Sequence, residues 1–341
     1  MRTYLTRKLW MGSRLSSIAL FICVCIIASR VYSINERRES NTEYISEELR
    51  TWVAWKPHGQ LGNQLWVISS MYGIARIRKS NWCVMDKYDL DIFHPNKEWT
   101  TYSALIEWKT PPPLLCSDIS SVNSGCFLSD ACHFKPIHDG TISYYSDVYA
   151  KSQWPFISVD GELQSFRYFD KDMPLPFKLK ATPKARAWVQ SRNFTAAIHV
   201  RRGDKLGGDG NVVPPVEYFE LAVAKLRELF PTFHQNFVVT SDDPEWVRSQ
   251  AIFQGMYILS SDDQSFDMAV ISECKYKIIS IGTFGWFGAF LTDKGDNITS
   301  VVIYPTLQME GELATRFNNA DYFPSHWIGL DYLGFKSQWL M

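Results

Sequence analysis

Net charge is nearly absent from this chain: across 341 residues, 35 lysines and arginines face 36 aspartates and glutamates. A formal balance of −1 argues against general attraction to nucleic acid or to an anionic membrane surface. Cysteine is sparse as well, with seven in the whole chain. Five lie beyond the N-terminal apolar run, Cys83, Cys116, Cys126, Cys132 and Cys274, and no spacing among them resembles a zinc site. Five is odd, so at least one stays free or pairs between chains, while in an oxidising compartment others pair. Cys116, Cys126 and Cys132 crowd one region.

Apolar residues, by contrast, are plentiful: 46% of the chain is hydrophobic and 15% aromatic, enough for a substantial core. Leu15 to Ser29 is an uncharged, mostly apolar run, preceded by Arg2, Arg7, Lys8 and Arg14 with no acidic residue among them. Arg30 interrupts it, but a long side chain near the end snorkels. The expected layout is a cytoplasmic tail at 1–14, a transmembrane signal-anchor at 15–35 and a short charged stem at 36–50, with the rest lumenal. The competing reading is a cleaved signal peptide with Ala28 to Ser33 as the cleavage region. Asn193-Phe194-Thr195 and Asn297-Ile298-Thr299 are glycosylation sequons that agree with a lumenal body.

The stretch that organises the rest is Thr195 to Lys205. Ala196 to Val200 is an apolar and β-branched run that reads as a buried strand, and Arg201-Arg202-Gly203-Asp204 follows at once. Ligands bind outside the carboxyl ends of strands in α/β sheets. Two adjacent arginines cannot both enter a dry core without partners. At least one guanidinium fork therefore faces an anion, and phosphate fits it best. A plain Arg–Asp salt bridge is the alternative.

Elsewhere, Trp52 to Trp55 reads as a first strand, then a turn at Gly59-Gln60-Leu61-Gly62-Asn63, then a helix over Gln64 to Ile77. Such a turn points backbone N–H groups at whatever sits above the helix start. From Asn81 to Lys180 the pattern is irregular, with aromatic residues beside Gln164 and Arg167 that suit a sugar platform or a packed core. A helix from Pro215, strands near Asn236 to Thr240 and Met256 to Leu259, and an Asp243-Pro244 helix start follow. Tyr276 to Ser280 reads as a strand leading into Gly282-Thr283-Phe284-Gly285 and an apolar helix, and Val301 to Tyr304 as a last strand. The closing aromatic-rich segment is expected to pack back across the domains. Strands alternating with helices from Thr195 to Tyr304 argue a doubly wound, mostly parallel sheet.

His199-Val200-Arg201-Arg202-Gly203-Asp204 resembles the signature of the α1,2-, α1,6- and protein O-fucosyltransferase superfamily. Gly59-Gln60-Leu61-Gly62-Asn63-Gln64, Phe237 to Trp246, Phe266 to Cys274 and Ile281 to Leu291 are similar to segments of the galactoside α1,2-fucosyltransferases (glycosyltransferase family 11). The resemblance implies a two-domain GT-B-like α/β architecture, here with an N-terminal acceptor-side domain at 51–190 and a C-terminal donor-binding domain at 191–341. It implies a single-pass type II Golgi membrane protein that moves L-fucose from GDP-β-L-fucose to a glycan hydroxyl, O2 of a β-galactoside, with inversion. An α1,6- or protein O-fucosyltransferase, or a membrane-anchored protein that binds glycans or GDP without catalysis, are the alternatives; a homodimer is left open. No metal cofactor is implied, and Asp242-Asp243-Pro244 is not the Asp-x-Asp of metal-dependent nucleotide-sugar enzymes.

Donor-binding positions implied by the match are His199, Arg201, Arg202, Gly59, Gly62, Asn63, Asp242, Asp267, Thr283 and Phe284. Arg201 is the expected diphosphate clamp, and His199 and Asp267 match positions that contact guanine in α1,6 relatives. Arg201, Asp204, Lys205 and Asp209 are the catalytic candidates. Asp209 is the expected base, counted along Arg201 to Asp209 as in the α1,6 relatives, although a Gly-Gly-Asp-Gly string also suits a plain turn. Asp204 is its rival, with two arginines beside it.

Overall fold

The computed structural model describes residues 51–55, 59–85, 102–116, 135–138, 140–169, 174–232, 236–293 and 300–333. The expected tail, anchor and stem, the Asn297 sequon, Cys126 and Cys132 lie outside them. Among the described residues no helix is long and apolar enough to cross a membrane.

In chain order the first strands are β1 (Trp52–Trp55), β2 (Asn81–Val84), β3 (Ile106–Trp108), β4 (Leu114–Leu115), β5 (Lys135–His138), β6 (Phe156–Asp160) and β7 (Phe177–Leu179). Helix α1 (Leu61–Arg78) links β1 to β2, and α2 (Val148–Lys151) precedes β6. β4-β2-β1-β6-β5 form one parallel sheet, and β3 pairs with β7 antiparallel apart from it. The stretch that looked irregular in sequence thus holds most of a sheet. Its strands are only two to five residues long and separated by loops, too short to show a period. Cys83 on β2 and Cys116 just after β4 are disulfide-bonded, and buried Cys274 is free.

Helix α3 (Thr182–Ser191), not foreseen from sequence, leads into β8 (Ala196–Val200). Then come α4 (Val216–Leu229), β9 (Phe237–Ser241), α5 (Pro244–Ser249), β10 (Tyr257–Leu259), α6 (Gln264–Glu273), β11 (Tyr276–Ile279), α7 (Thr283–Phe290) and β12 (Val301–Pro305). Short helices α8 (Gly311–Thr315) and α9 (Asn319–Tyr322) precede β13 (Ile328–Leu330). The second sheet is parallel throughout, in the order β10-β9-β8-β11-β12-β13. Renumbered from its own first strand, that is 3-2-1-4-5-6, the doubly wound dinucleotide-binding order, whose direction of winding reverses between β8 and β11. Asp243 caps α5 as its position before proline foretold, accepting from the Trp246 N–H.

Residues alternate across β8. Ala196, Ile198 and Val200 face a core under α4, while Ala197 faces the core shared with the first sheet. His199 and Arg201, two and four positions on from Ala197, therefore lie on the inner side. That shared core is aromatic: Trp66 of α1 packs on Trp286 of α7 at 3.8 Å and stacks on Tyr322 at 4.8 Å between ring centroids. The C-terminal segment is stapled across. Asp321 accepts from Arg167 at 2.9 Å and from the Tyr145 N–H at 3.0 Å, so the closing residues do pack back on the first sheet's side. The described residues from Thr51 onward form one compact unit.

Candidate functional site

Both sheets turn their strand ends toward one cavity of about 390 Å³. The turn after β1 supplies Gly59, Gln60, Gly62 and Asn63; the residues after β6 supply Glu162 and Gln164. β1 and β6 are neighbours at the point where the first sheet also reverses its winding. From the second sheet come His199 and Arg201 at the end of β8, and Gly282, Thr283 and Phe284 after β11. The cavity therefore sits over two switch points at once, where strand ends splay and leave room for a ligand.

Two helices begin there. Neither Gln60, before α1, nor Gly282, before α7, gives its helix a side-chain cap. The first N–H groups of both helices lack intrahelical partners, and both dipoles point their positive ends at the cavity. The two turns touch: a Cβ on Gly62 would stand 2.6 Å from the Phe284 nitrogen and 2.6 Å from the Thr283 hydroxyl. Only glycine permits that approach. The Thr283 hydroxyl donates to Asn63 Oδ1 at 2.5 Å, and Gly282 holds φ +91°, a backbone that residues with a Cβ resist.

Arg201 enters from the second sheet. Its Nη2 lies 2.7 Å from Asp204 Oδ1 and its Nε 3.4 Å from Asp242 Oδ2, so two carboxylates aim the fork. Lys205 also lines the cavity, 3.9 Å from Asp204 and 3.3 Å from Asp209. His199 is buried, its ring stacked on Phe284 at 5.6 Å. The Ser280 hydroxyl accepts the Arg201 N–H at 2.7 Å and lies 3.3 Å from His199 Nδ1. Burial, and next the nearby Arg201 charge, bring the His199 pKa down to about 3, so the ring is neutral at any ordinary pH. It is a buried strand histidine and a cavity wall together.

Of the positions expected from sequence, Gly59, Gly62, Asn63, His199, Arg201, Asp204, Lys205, Thr283 and Phe284 line the cavity. Four do not. Arg202 points to the other side of its strand end, where it stacks 3.9 Å over Trp246 and pairs with Asp243 at 3.5 Å. Asp242 accepts the Arg202 N–H at 2.9 Å and steadies Arg201 from behind. Asp209 sits in an adjoining depression with Glu310 and Glu312. Bonds from the Asn211 side chain and backbone, then Lys205, hold its carboxyl below the usual range, which suits a turn. Asp267 is on α6, past the end of β10, two strands from β8. Burial lifts its pKa to about 6 although the Ser261 hydroxyl donates to it at 2.6 Å. Asn193 is exposed, with φ 54° at the end of α3.

Several lining residues carried no signal in sequence. Arg316 donates from Nε to the Gly140 carbonyl at 2.6 Å, tying the segment after α8 to the first sheet's side. Glu162, Gln164, Asn211 and Gln308 line the cavity from loops. Gln164 stands beside the aromatic residues noted in the sequence, and Glu162 two positions before it, but nothing there marks which residues face a ligand.

Residues 187–331 match the family model described as Glycosyl transferase family 11. The chain is 25% identical over 310 residues to a galactoside α-(1,2)-fucosyltransferase 1 from Alouatta belzebul, covering 82% of this chain and 75% of that one. It is 28% identical over 144 residues to the O-antigen biosynthesis glycosyltransferase WbnK of Escherichia coli, covering 40% of this chain and 44% of that one. The match thus spans under half the length of that bacterial relative. Similarity also extends to a crystal structure of NodZ α-1,6-fucosyltransferase soaked with GDP-fucose, at 13% identity and a TM-score of 0.45, over 71% of this chain and 92% of that one.

Proposed function

We propose, from a chain whose residues 187–331 carry glycosyl transferase family 11, that it moves L-fucose from GDP-β-L-fucose to a glycan hydroxyl, O2 of a β-galactoside, inverting the anomeric carbon. One observation carries the reading. An aimed arginine fork and two uncapped helix starts converge on a single cavity at the switch points of two parallel sheets. That is a cradle for a diphosphate.

Arg201 grips the β-phosphate, exchanging Asp204 for phosphate oxygens in a bidentate fit. The Thr283 hydroxyl and the N–H groups after Gly282 and Gln60 hold the remaining oxygens. Charge grows on this leaving group as the sugar becomes oxocarbenium-like, so donors already in place lower the barrier without reorganising. Guanine extends along the strand ends toward β10. There the Asp267 carboxylate accepts from N1–H and the exocyclic amine, and the neutral His199 ring walls the cavity beside the nucleotide. A carboxylate at that place favours GDP over UDP, whose base offers no such pair of donors. Arg202, Asp242 and Asp243 form the layer behind, holding Arg201 in its rotamer.

The division at residue 190, with the acceptor met by the first sheet's side, and a lumenal, membrane-anchored setting belong to the same reading. The test is release of GDP from GDP-fucose by the full chain with and without a mixture of β-galactosides and N-glycans, followed by linkage analysis of the product. Acceptor-dependent release with an α1,2 product is the expected outcome. GDP binding without release under any acceptor overturns the enzyme, and an α1,6 or protein-linked product overturns the linkage.

A further inference from the structure

Transfer to a hydroxyl requires a group that takes its proton as the new bond forms. The described residues of the cavity offer few. His199 is buried, with its Nδ1 turned to Ser280, and burial makes it a feeble base. The Tyr322 phenol is kept protonated by burial, and secondarily by the charge of Glu162 nearby. Asp204 has one oxygen on Arg201 at 2.7 Å and the other toward Lys205 at 3.9 Å. Asp209 lies in the adjoining depression with its oxygens on Asn211 and Lys205.

Glu162 differs from all of these. It follows β6, at the switch point of the first sheet, and so reaches the cavity from the sheet that does not carry Arg201. Among the described residues no cation pairs with it. Among the described residues its one side-chain bond comes from Gln164 Nε2, 3.2 Å from Oε2, which orients the carboxylate and leaves Oε1 to the cavity. Gln164 is buried, and its own N–H is fixed on the Ile142 carbonyl at 2.9 Å, so the support is rigid.

We propose that Glu162 is the general base of the transfer, an assignment that rests on the fucosyl-transfer reading above. The acceptor hydroxyl lies on the first sheet's wall and gives its proton to Glu162 as its oxygen attacks C1 of fucose. The C1–O bond to the β-phosphate breaks, its electron pair leaving with GDP on Arg201. Glu162 then passes the proton to water. The base and the leaving-group clamp stand on different sheets, an arrangement that suits attack from the face opposite the leaving group.

Glu162→Gln in the full chain tests this, because the amide keeps the shape and removes the basicity. GDP affinity measured by calorimetry is expected to stay within about twofold, acceptor KM within a few-fold, and kcat to fall on the order of 10²–10⁴. Glu162→Ala is expected to lose as much and to regain part of its rate with added formate, a rescue that a merely structural role would not give. It also decides the matter if the glutamine variant melts early. A kcat within about fivefold of wild type, a loss confined to KM, or the absence of formate rescue overturns the assignment. A wild-type chain that releases no GDP overturns the transfer reading, and the base with it. An active wild type with an active Glu162→Gln overturns the base alone.

Discussion

The two parallel sheets meet the same cavity with different kinds of group. The second sheet ends β8 in Arg201, Asp204 and Lys205, backed by Asp242 and Asp243: a dense cluster with its charges paired. The first sheet offers a glycine turn, Asn63 and Gln164, with Glu162 as its carboxylate in the cavity. The second sheet has an apolar core on its α4 side and the shared core on the other, whereas a short edge of the first, β2 to β4, is held by a disulfide. The lesson concerns precision. Charges that stabilise a leaving phosphate must sit within a fraction of an ångström, and the carboxylates paired with Arg201 hold it there. Glu162, on a loop past β6, is positioned instead by buried Gln164.

The comparison breaks most visibly at Arg201. Arg201→Lys replaces a bidentate fork by a point charge, and kcat is expected to fall on the order of 10²–10³ in the GDP-release assay, the scale for losing one oxyanion donor. A rate within a few-fold of wild type would remove the clamp from the second sheet.

The first sheet should break at its edge instead. Cys116→Ser opens the bond to Cys83 across a separation of 33 residues, and about 2–4 kcal/mol of stability should be lost in urea unfolding. Arg201→Lys should leave the same curve nearly unmoved. Equal sensitivity of the two variants would show that the sheets do not differ in how they are held.

Gly62→Ala probes where the sheets touch. Its methyl would meet the Phe284 backbone nitrogen at 2.6 Å, so the two turns must part, costing about 1–3 kcal/mol by overpacking and weakening GDP binding. Gly207→Ala, with no atom within 4 Å of the added carbon, should shift stability by less than about 0.5 kcal/mol. Matching effects in a thermal melt would refute the close approach.

Acid gives a gentler handle. Asp267 carries a pKa raised to about 6 by burial, and in the proposed function guanine needs its charged form. GDP affinity should hold steady above pH 6 and weaken toward tenfold per unit below it, and Asp267→Asn should flatten that dependence. His199 adds a stability term of its own sign: its folded pKa is down at about 3 from 6.5. The unfolded chain therefore binds a proton the native state refuses, and stability falls as pH drops from 6.5 toward 3, by about 1.4 kcal/mol per unit at most. The smallest effect is expected from EDTA, which should leave turnover unchanged; loss restored by Mn²⁺ would contradict a metal-free transfer.

What sequence alone determined lies mainly in the second sheet. β8, β9, β11 and β12 were readable because buried parallel strands are continuous apolar runs, and the two glycine turns because tight strand-to-helix connections have few chemical solutions. Arg201, His199, Gly62 and Thr283 followed, each being fixed by its place beside such an element. Asp209 and Glu162 show the limit. Counting along the chain put Asp209 forward, yet its loop turns it into the adjoining depression, where Asn211 and Lys205 occupy it. Glu162 gave no sign, since two residues past a short strand nothing local says which way a side chain faces. Only the packing of one sheet's switch point against the other brings it into the cavity with Arg201. Local propensity and turn chemistry act over a few residues. The partnership of residues 39 positions apart on different sheets is a tertiary fact, decided when the Trp66, Trp286 and Tyr322 rings close the shared core beneath them.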